Sequence, residues 1–350
     1  SYTSVAQPTP EISATRFQVR GYNINQLGYP GEFKPGPDRR FYYLEYWEAN
    51  KFRRTSGHYL QCMFRKMNQG KEQITEAWAS PISREGEPVV REPQLFHMND
   101  KLVVVGRQEY KGSYDKTVMQ YFDERSGKPV GPQQDMTPFK YKEKEYIDRI
   151  AVSPDGGRMV WMGYDPDTDP HKRDYEISVW KDDGRMLARG EVYMETLQEK
   201  KNYDISDLVV DKRGNAFILL LPQVKEGEMA DSTQLPVVVR YDSKDKSAKE
   251  FPVDFAGVGV PFIKLHITKD DNLLVLAITT EPSSKGLTNG KELQGGARTW
   301  TNYEVVRFNL MRQMLKVASS ITRLPDSLAK RYADDKRGAN FSASRVIEEQ

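Results

Sequence analysis

The chain has 350 residues, enough for one large β-domain or two ordinary domains and for a sizeable buried core. Its charge is high but balanced, 52 Lys and Arg against 50 Asp and Glu, so no global field draws it to nucleic acid or to an anionic membrane. A single cysteine, Cys62, excludes an internal disulfide and any multi-cysteine metal centre, and no apolar run approaches the roughly 18 residues of a membrane span.

The first residues, SYTSVAQPTPE, are rich in Pro, Ser and Thr and lack an initiator methionine. They read as the lead-in, residues 1–34, of a mature or trimmed product that is exported, to a periplasm or a cell surface. RFQVRGYNI (16–24) reads as one extra edge strand within that lead-in. From Lys34 to Lys71 nine basic residues stand against Asp38, Glu45 and Glu48, a bias that reads first as a solvated face and second as a site for an anionic partner. Cys62, inside the alternating HYLQCMFRK, reads as a half-buried thiol rather than a nucleophile.

Strand-like runs then recur with a long period. Turns precede the most apolar runs at Asn99-Asp100 (HMNDKLVVVG), Asp155-Gly156 (VSPDGGRMVWMG), Asp211 to Gly214 (VVDKRGNAFILLL) and Asp270-Asp271 (ITKDDNLLVLA), 55 to 59 residues apart. An earlier member is Pro37-Asp38 in KPGPDRRFYYLEYW. A second series, in which a strand ends before Asp or Asn and turns into another, falls at Asn68, Asp123, Asp182, Asp242 and Asn309. Asp, Asn and Gly supply the local hydrogen bonds and positive φ that tight hairpins need. Two hairpins per period describe a four-stranded antiparallel unit, which cannot bury both faces alone and must stack on its neighbours. Within each unit the second strand is nearly all apolar, as in Phe217 to Leu221, and is expected to be buried on both faces.

The expectation is therefore an all-β, five-bladed β-propeller. Its blades run at about 35–80, 93–137, 147–195, 203–255 and 262–322. NFSASRVIEE (340–349) reads as a terminal strand that closes the ring as the innermost strand of the first blade. The competing reading is a truncated six- or seven-bladed ring. Between the last blade and that strand, LPDSLAKRYADDKRG reads as a helix with Asp326 or Ser327 as N-cap and Gly338 as its stop.

The segment AVSPDGGRMVWMGYD…DYEISVWKDDGRMLARG (151–190) resembles the TolB-type, WD-repeat-like propeller repeat of bacterial envelope proteins. The resemblance implies a propeller, exported, with a protein- or glycan-contacting role, and it carries no catalytic residue to transfer.

Chemistry-bearing motifs are mostly rejected. Ser153, Asp155 and Gly157 are similar to a sialidase Asp box, but Met159 replaces its threonine, and the box is itself a turn device. Asp165, Asp167, Asp169 and Glu176 take positions 1, 3, 5 and 12 of a calcium loop, with Pro170 where that loop needs Gly. Asp165, Asp167 and Asp169 remain the candidate metal ligands, for calcium; otherwise no cofactor is expected. SSKGLTNGKELQGG (283–296) fails the phosphate-loop pattern at Lys285 and Glu292. This loop, with 163–174 and 223–235, is expected on one face of the ring. His97 and His266 fall on innermost strands, while His58 and His171 lie elsewhere. No nucleophile elbow and no Cys–His pair is visible.

Without a catalytic signature the chain reads as a non-enzymatic scaffold that binds a protein partner in an envelope assembly. The alternative is a glycan-binding or glycan-hydrolysing propeller with a site in the central channel, using carboxylates that the sequence alone does not pair. A third reading is a propeller that gates a separate catalytic domain.

Overall fold

The computed structural model describes residues 34–47, 57–69, 71–83, 89–110, 114–136, 146–164, 174–199, 202–223, 235–255, 262–279, 302–312 and 314–323. They form five four-stranded antiparallel sheets, each a meander in chain order. The first sheet holds β1 (Lys34–Pro35), β2 (Arg40–Trp47), β3 (Gly57–Asn68) and β4 (Lys71–Pro81). The second holds β5 (Val90–Met98), β6 (Lys101–Tyr110), β7 (Tyr114–Asp123) and β8 (Pro129–Asp135). The third holds β9 (Tyr146–Val152), β10 (Arg158–Tyr164), β11 (Tyr175–Lys181) and β12 (Met186–Val192). One helical turn, α1 (Glu195–Glu199), leads to the fourth, with β13 (Tyr203–Val210), β14 (Ala216–Pro222), β15 (Val237–Asp242) and β16 (Ser247–Pro252). The fifth holds β17 (Phe262–Ile267), β18 (Asn272–Thr279), β19 (Asn302–Asn309) and β20 (Leu315–Arg323).

The first strands touch in series, β1 on β5, β5 on β9, β9 on β13 and β13 on β17, so they are the innermost. This is the five-bladed propeller that the two turn series predict. In the first sheet the place beside β2 is held by β1, which pairs Lys34 with Tyr42 and Pro35 with Phe41. The segments 16–24, 324–338 and 340–349 lie outside the described residues.

The second strands of the second, third and fourth sheets form the middle of the core because their central residues have no polar side chain to expose. Leu102 to Val105, Met159 to Met162 and Ala216 to Leu220 are all buried. Alternate residues of one strand serve two seams. Met159 and Trp161 pack with Val103, Val105 and Met119 of the second sheet, whereas Val160 and Met162 pack with Leu208, Val210 and Ile218 of the fourth. Fully burying one such side chain is worth about 1.5–3 kcal/mol, so each seam depends on both of its sheets.

Four apolar clusters among the described residues join consecutive sheets, first to second through fourth to fifth. The two faces at the ends of this series differ. On the face of β18 turned away from the fourth sheet, Leu274 and Leu276 are half-buried, unlike the doubly buried second strands before it. On the face of the first sheet turned away from the second, Tyr43 Oη donates to Gln61 Oε1 at 3.0 Å and Gln61 Nε2 donates to Glu45 Oε2. Glu45 and Gln61 are both buried there.

The Asp and Asn turns interlock at one end of the ring. Asn99 Nδ2 donates to Asp182 Oδ2 at 2.6 Å, tying second sheet to third, and Lys212 Nζ meets Asp271 Oδ2 at 2.6 Å, tying fourth to fifth. Gly156, at φ +67°, packs so closely that a Cβ would lie 2.5 Å from the backbone nitrogen of Asn99.

Candidate functional site

Because the first-to-second turns occupy one end of each meander, the second-to-third connections emerge at the other. First strands enter the ring at that loop-side end. Three consecutive first strands are irregular there. In β9, Arg149 pairs with Met162 and Ile147 with Gly163, leaving Asp148 as an extra residue. In β13, Ile205 pairs with Leu220 and Asp207 with Leu219, leaving Ser206 extra. In β5, Arg91 pairs with Arg107 and Gln94 with Val105, so Glu92 and Pro93 oppose the single Gly106. Such bulges bend a strand and re-aim its side chains, and they concentrate at barrel rims and active sites.

The bulges are held by specific contacts. Gly106 admits the distorted strand, since a Cβ there would lie 3.0 Å from the carbonyl oxygen of Arg91. Glu92 adopts φ +46°, a strained conformation for a side chain of its size, with its carboxylate 3.6 Å from Arg107 Nη1 and 73 % exposed. Arg149 Nη2 donates to the Ile205 carbonyl at 2.7 Å, from third sheet to fourth. Asp207 accepts from its neighbour Leu208 N at 3.0 Å and from Leu265 N of the fifth sheet at 2.9 Å. Asp204, exposed at the entry of β13, accepts from Gln223 Nε2.

One acidic residue stands in the loop-side half of each of these strands. Glu92 lies in the bulge of β5, Asp148 is the extra residue of β9, and Asp204 pairs with Leu221, two residues loop-side of the bulge at Ser206. The sequence reading missed them because it tracked turns and apolar runs rather than acidic residues on the entry segments of the first strands. Acidic residues on the loop-side segments of three adjacent innermost strands can supply acid and base groups to one bound molecule.

Beside Glu92 lies an aromatic rim. His58 Nδ1 donates to the carbonyl of Val90, at the entry of β5, at 3.2 Å, and burial holds the imidazole below its usual pKa of 6.5. With Nδ1 carrying the proton, Nε2 of the neutral ring is an acceptor. Tyr46, paired with His58 across β2 and β3, meets it edge-on at 5.2 Å and is 44 % exposed.

The candidates named from sequence fall elsewhere. Asp165, Asp167 and Asp169 lie outside the described residues, and no group of three His, Cys, Asp or Glu among the described residues could hold a metal ion. Glu176, the fourth member of that pattern, is buried against Arg189. Ser153, Asp155 and Gly157 form a self-contained turn. Ser153 Oγ donates to Asp155 Oδ1 at 2.6 Å and accepts from Arg158 N at 2.9 Å, and Gly157 N donates to Asp155 Oδ1 at 3.1 Å. His97 lies on β5 near the turn end, its Nε2 2.9 Å from Glu124 Oε2, and His266 lies on β17. Cys62 is wholly buried, and burial pushes its thiol up to about 11, which removes it as a nucleophile. No helix among the described residues is long and apolar enough to cross a membrane.

The class that these sheets define is the five-bladed β-propeller. No family model matches the chain, and no curated protein matches it. Solved structures do. A Dyadobacter fermentans protein of unknown function is 11 % identical over 85 % of this chain and 83 % of its own, with a TM-score of 0.42. The polysaccharide lyase Uly1 is 10 % identical over 84 % and 67 %, with a TM-score of 0.44. An α-L-arabinanase from Penicillium chrysogenum, complexed with arabinobiose, is 10 % identical over 86 % and 94 %, with a TM-score of 0.39. This is similarity of fold. The neighbours of stated activity are carbohydrate-active propellers rather than TolB-type or WD-repeat envelope proteins, which corrects the family resemblance read from residues 151–190. The physical reason is that the shared Ser-Pro-Asp-Gly residues are consumed by a hairpin turn that any blade can use. The reading as a non-enzymatic protein-binding scaffold, drawn from the lack of a catalytic signature, is corrected by the same neighbours.

Proposed function

We propose that the protein acts on a polysaccharide at the loop-side mouth of its central channel. One observation carries the reading: an acidic residue, Glu92, Asp148 or Asp204, stands on the loop-side segment of each of three adjacent, bulged innermost strands. Glycoside cleavage needs two carboxyl groups about 5–10 Å apart flanking the scissile bond, one giving a proton to the leaving oxygen and the other acting as base or nucleophile. Carboxylates on separate blades suit this, because each is carried by a different rigid sheet. An exported setting, where such substrates occur, accords with the reading.

The test is incubation of the purified chain with arabinan, xylan and polygalacturonate, scoring new reducing ends. Cleavage of one of them, reduced about 10²–10⁴-fold by Glu92→Gln, Asp148→Asn or Asp204→Asn at unchanged thermal stability, is the expected result. A wild-type chain that neither binds nor cleaves any of the three, or variants as active as wild type, would overturn it.

A further inference from the structure

We infer that Tyr46 and His58 form a sugar-ring subsite on the channel rim between the first and second blades, a specificity element beside Glu92. The inference rests on the polysaccharide reading above, and it begins from a contrast in how the aromatic residues are used. Tyr42, Tyr121, Tyr175, Trp161 and Phe122 are buried in the seams. Tyr46 is 44 % exposed although it ends a strand whose preceding same-face residues, Tyr42 and Leu44, are core. Tyr193, more exposed still, is far from the innermost strands, at the end of the third sheet's outer strand, with its hydroxyl donating to Glu199 Oε1 at 3.1 Å.

Tyr46 belongs to the loop-side rim by a continuous chain of contacts. Its ring meets His58 at 5.2 Å, His58 Nδ1 bonds the Val90 carbonyl at 3.2 Å, and Glu92 follows two residues along the same strand. The Ile82 amide donates to the His58 carbonyl at 3.0 Å, and the Val90 amide donates to Ser83 Oγ at 2.9 Å, so both ends of the connection from first sheet to second are anchored at this spot. An aromatic ring fixed in this way and open to solvent offers an apolar platform for the C–H face of a sugar. A neutral imidazole whose Nδ1–H is already engaged offers Nε2 as an acceptor for a sugar hydroxyl. Tyr46 thus supplies stacking and His58 supplies direction, without either taking part in bond cleavage.

The experiment is affinity electrophoresis of the full chain through gels containing arabinan, xylan or polygalacturonate, with Tyr46→Ala, Tyr46→Phe and His58→Asn beside wild type. The asparagine keeps a donor for the Val90 carbonyl and removes the Nε2 acceptor. Expected is about a tenfold weaker retardation constant for Tyr46→Ala, a change within about twofold for Tyr46→Phe, and an intermediate loss for His58→Asn. With a cleaved substrate the losses appear in KM while kcat stays within about twofold. If wild type is retarded but Tyr46→Ala is retarded equally, the subsite is refuted and the polysaccharide reading survives. If wild type is retarded by none of the three gels, both fall together.

Discussion

Arg149 on the third sheet reaches across to the fourth and donates from Nη2 to the carbonyl of Ile205 at 2.7 Å. Both residues flank a bulge, Asp148 on one side and Ser206 on the other, so the bond ties together two distorted segments of the innermost ring. Replacing Arg149 with Met keeps the stem and removes the donor. The expected cost is about 1.5–3 kcal/mol in urea unfolding, the range for a hydrogen bond to a charged group. A loss within experimental error would mean the tie is not needed to hold the bulges.

Asp207 uses both carboxylate oxygens, one for Leu208 N and one for Leu265 N of the fifth sheet. An asparagine can accept at one oxygen only, and its amide would face the other donor. Asp207→Asn should therefore destabilise the chain by about 1–3 kcal/mol, whereas Asp204→Asn, at an exposed position, should leave the melting temperature nearly unchanged. Thermal melts of the two variants side by side separate tie from surface.

Gly156→Ala places a Cβ against the backbone of Asn99 at a positive φ. A loss of about 1–3 kcal/mol is expected, with Ser153→Ala losing about 1 kcal/mol from its turn bonds. Neither should alter cleavage of any polysaccharide, since the turn end lies opposite the acidic mouth. A selective loss of activity at unchanged stability would return this turn to the list of chemical sites.

Stability should fall on acidification through His58. Burial holds its folded pKa below 6.5, so the unfolded chain binds the proton more readily and unfolding takes up a proton as pH drops. Stability from this group is complete above about pH 7 and declines as pH passes below 6.5 toward the folded value. Denaturant titrations at pH 7.5, 6.5 and 5.5 should show a slope that His58→Asn flattens. An unchanged slope in the variant would assign the acid sensitivity to other groups.

The Cys62 thiol, held up near 11 and fully buried, should resist alkylation in the native state and react fully in denaturant. A mass shift with iodoacetamide under native conditions within minutes would show that the first seam opens far more often than its packing implies.

The sequence made the repeat legible because its turns are local. The hydrogen bonds of Ser153 to Arg158 or Asp211 to Asn215 close within five residues, so their residue types must recur wherever the turn does. The apolar second strands were legible for a similar reason, as strands buried on both faces are built mostly of apolar residues. The bulges were not, because the extra residue at Asp148 exists only relative to the pairing of Met162 and Gly163 on another strand. The subsite pair was hidden likewise, since Tyr46 and His58 are joined by register rather than by sequence proximity. The Ser-Pro-Asp-Gly turn misled in the opposite direction: its local chemistry is shared so widely that it identifies a hairpin and no family.

The polar contacts of Tyr43, Gln61 and Glu45, with half-buried Leu274 and Leu276 at the other end of the series, have a mechanical consequence. Buried amide and carboxyl groups recover water when exposed, whereas the apolar seams lose their whole stabilisation. Under denaturant or tension the first and fifth sheets, at the two ends of the series, should therefore loosen first, with the four apolar seams intact. Amide exchange along β2 and β18 would then run ahead of exchange along β10 and β14.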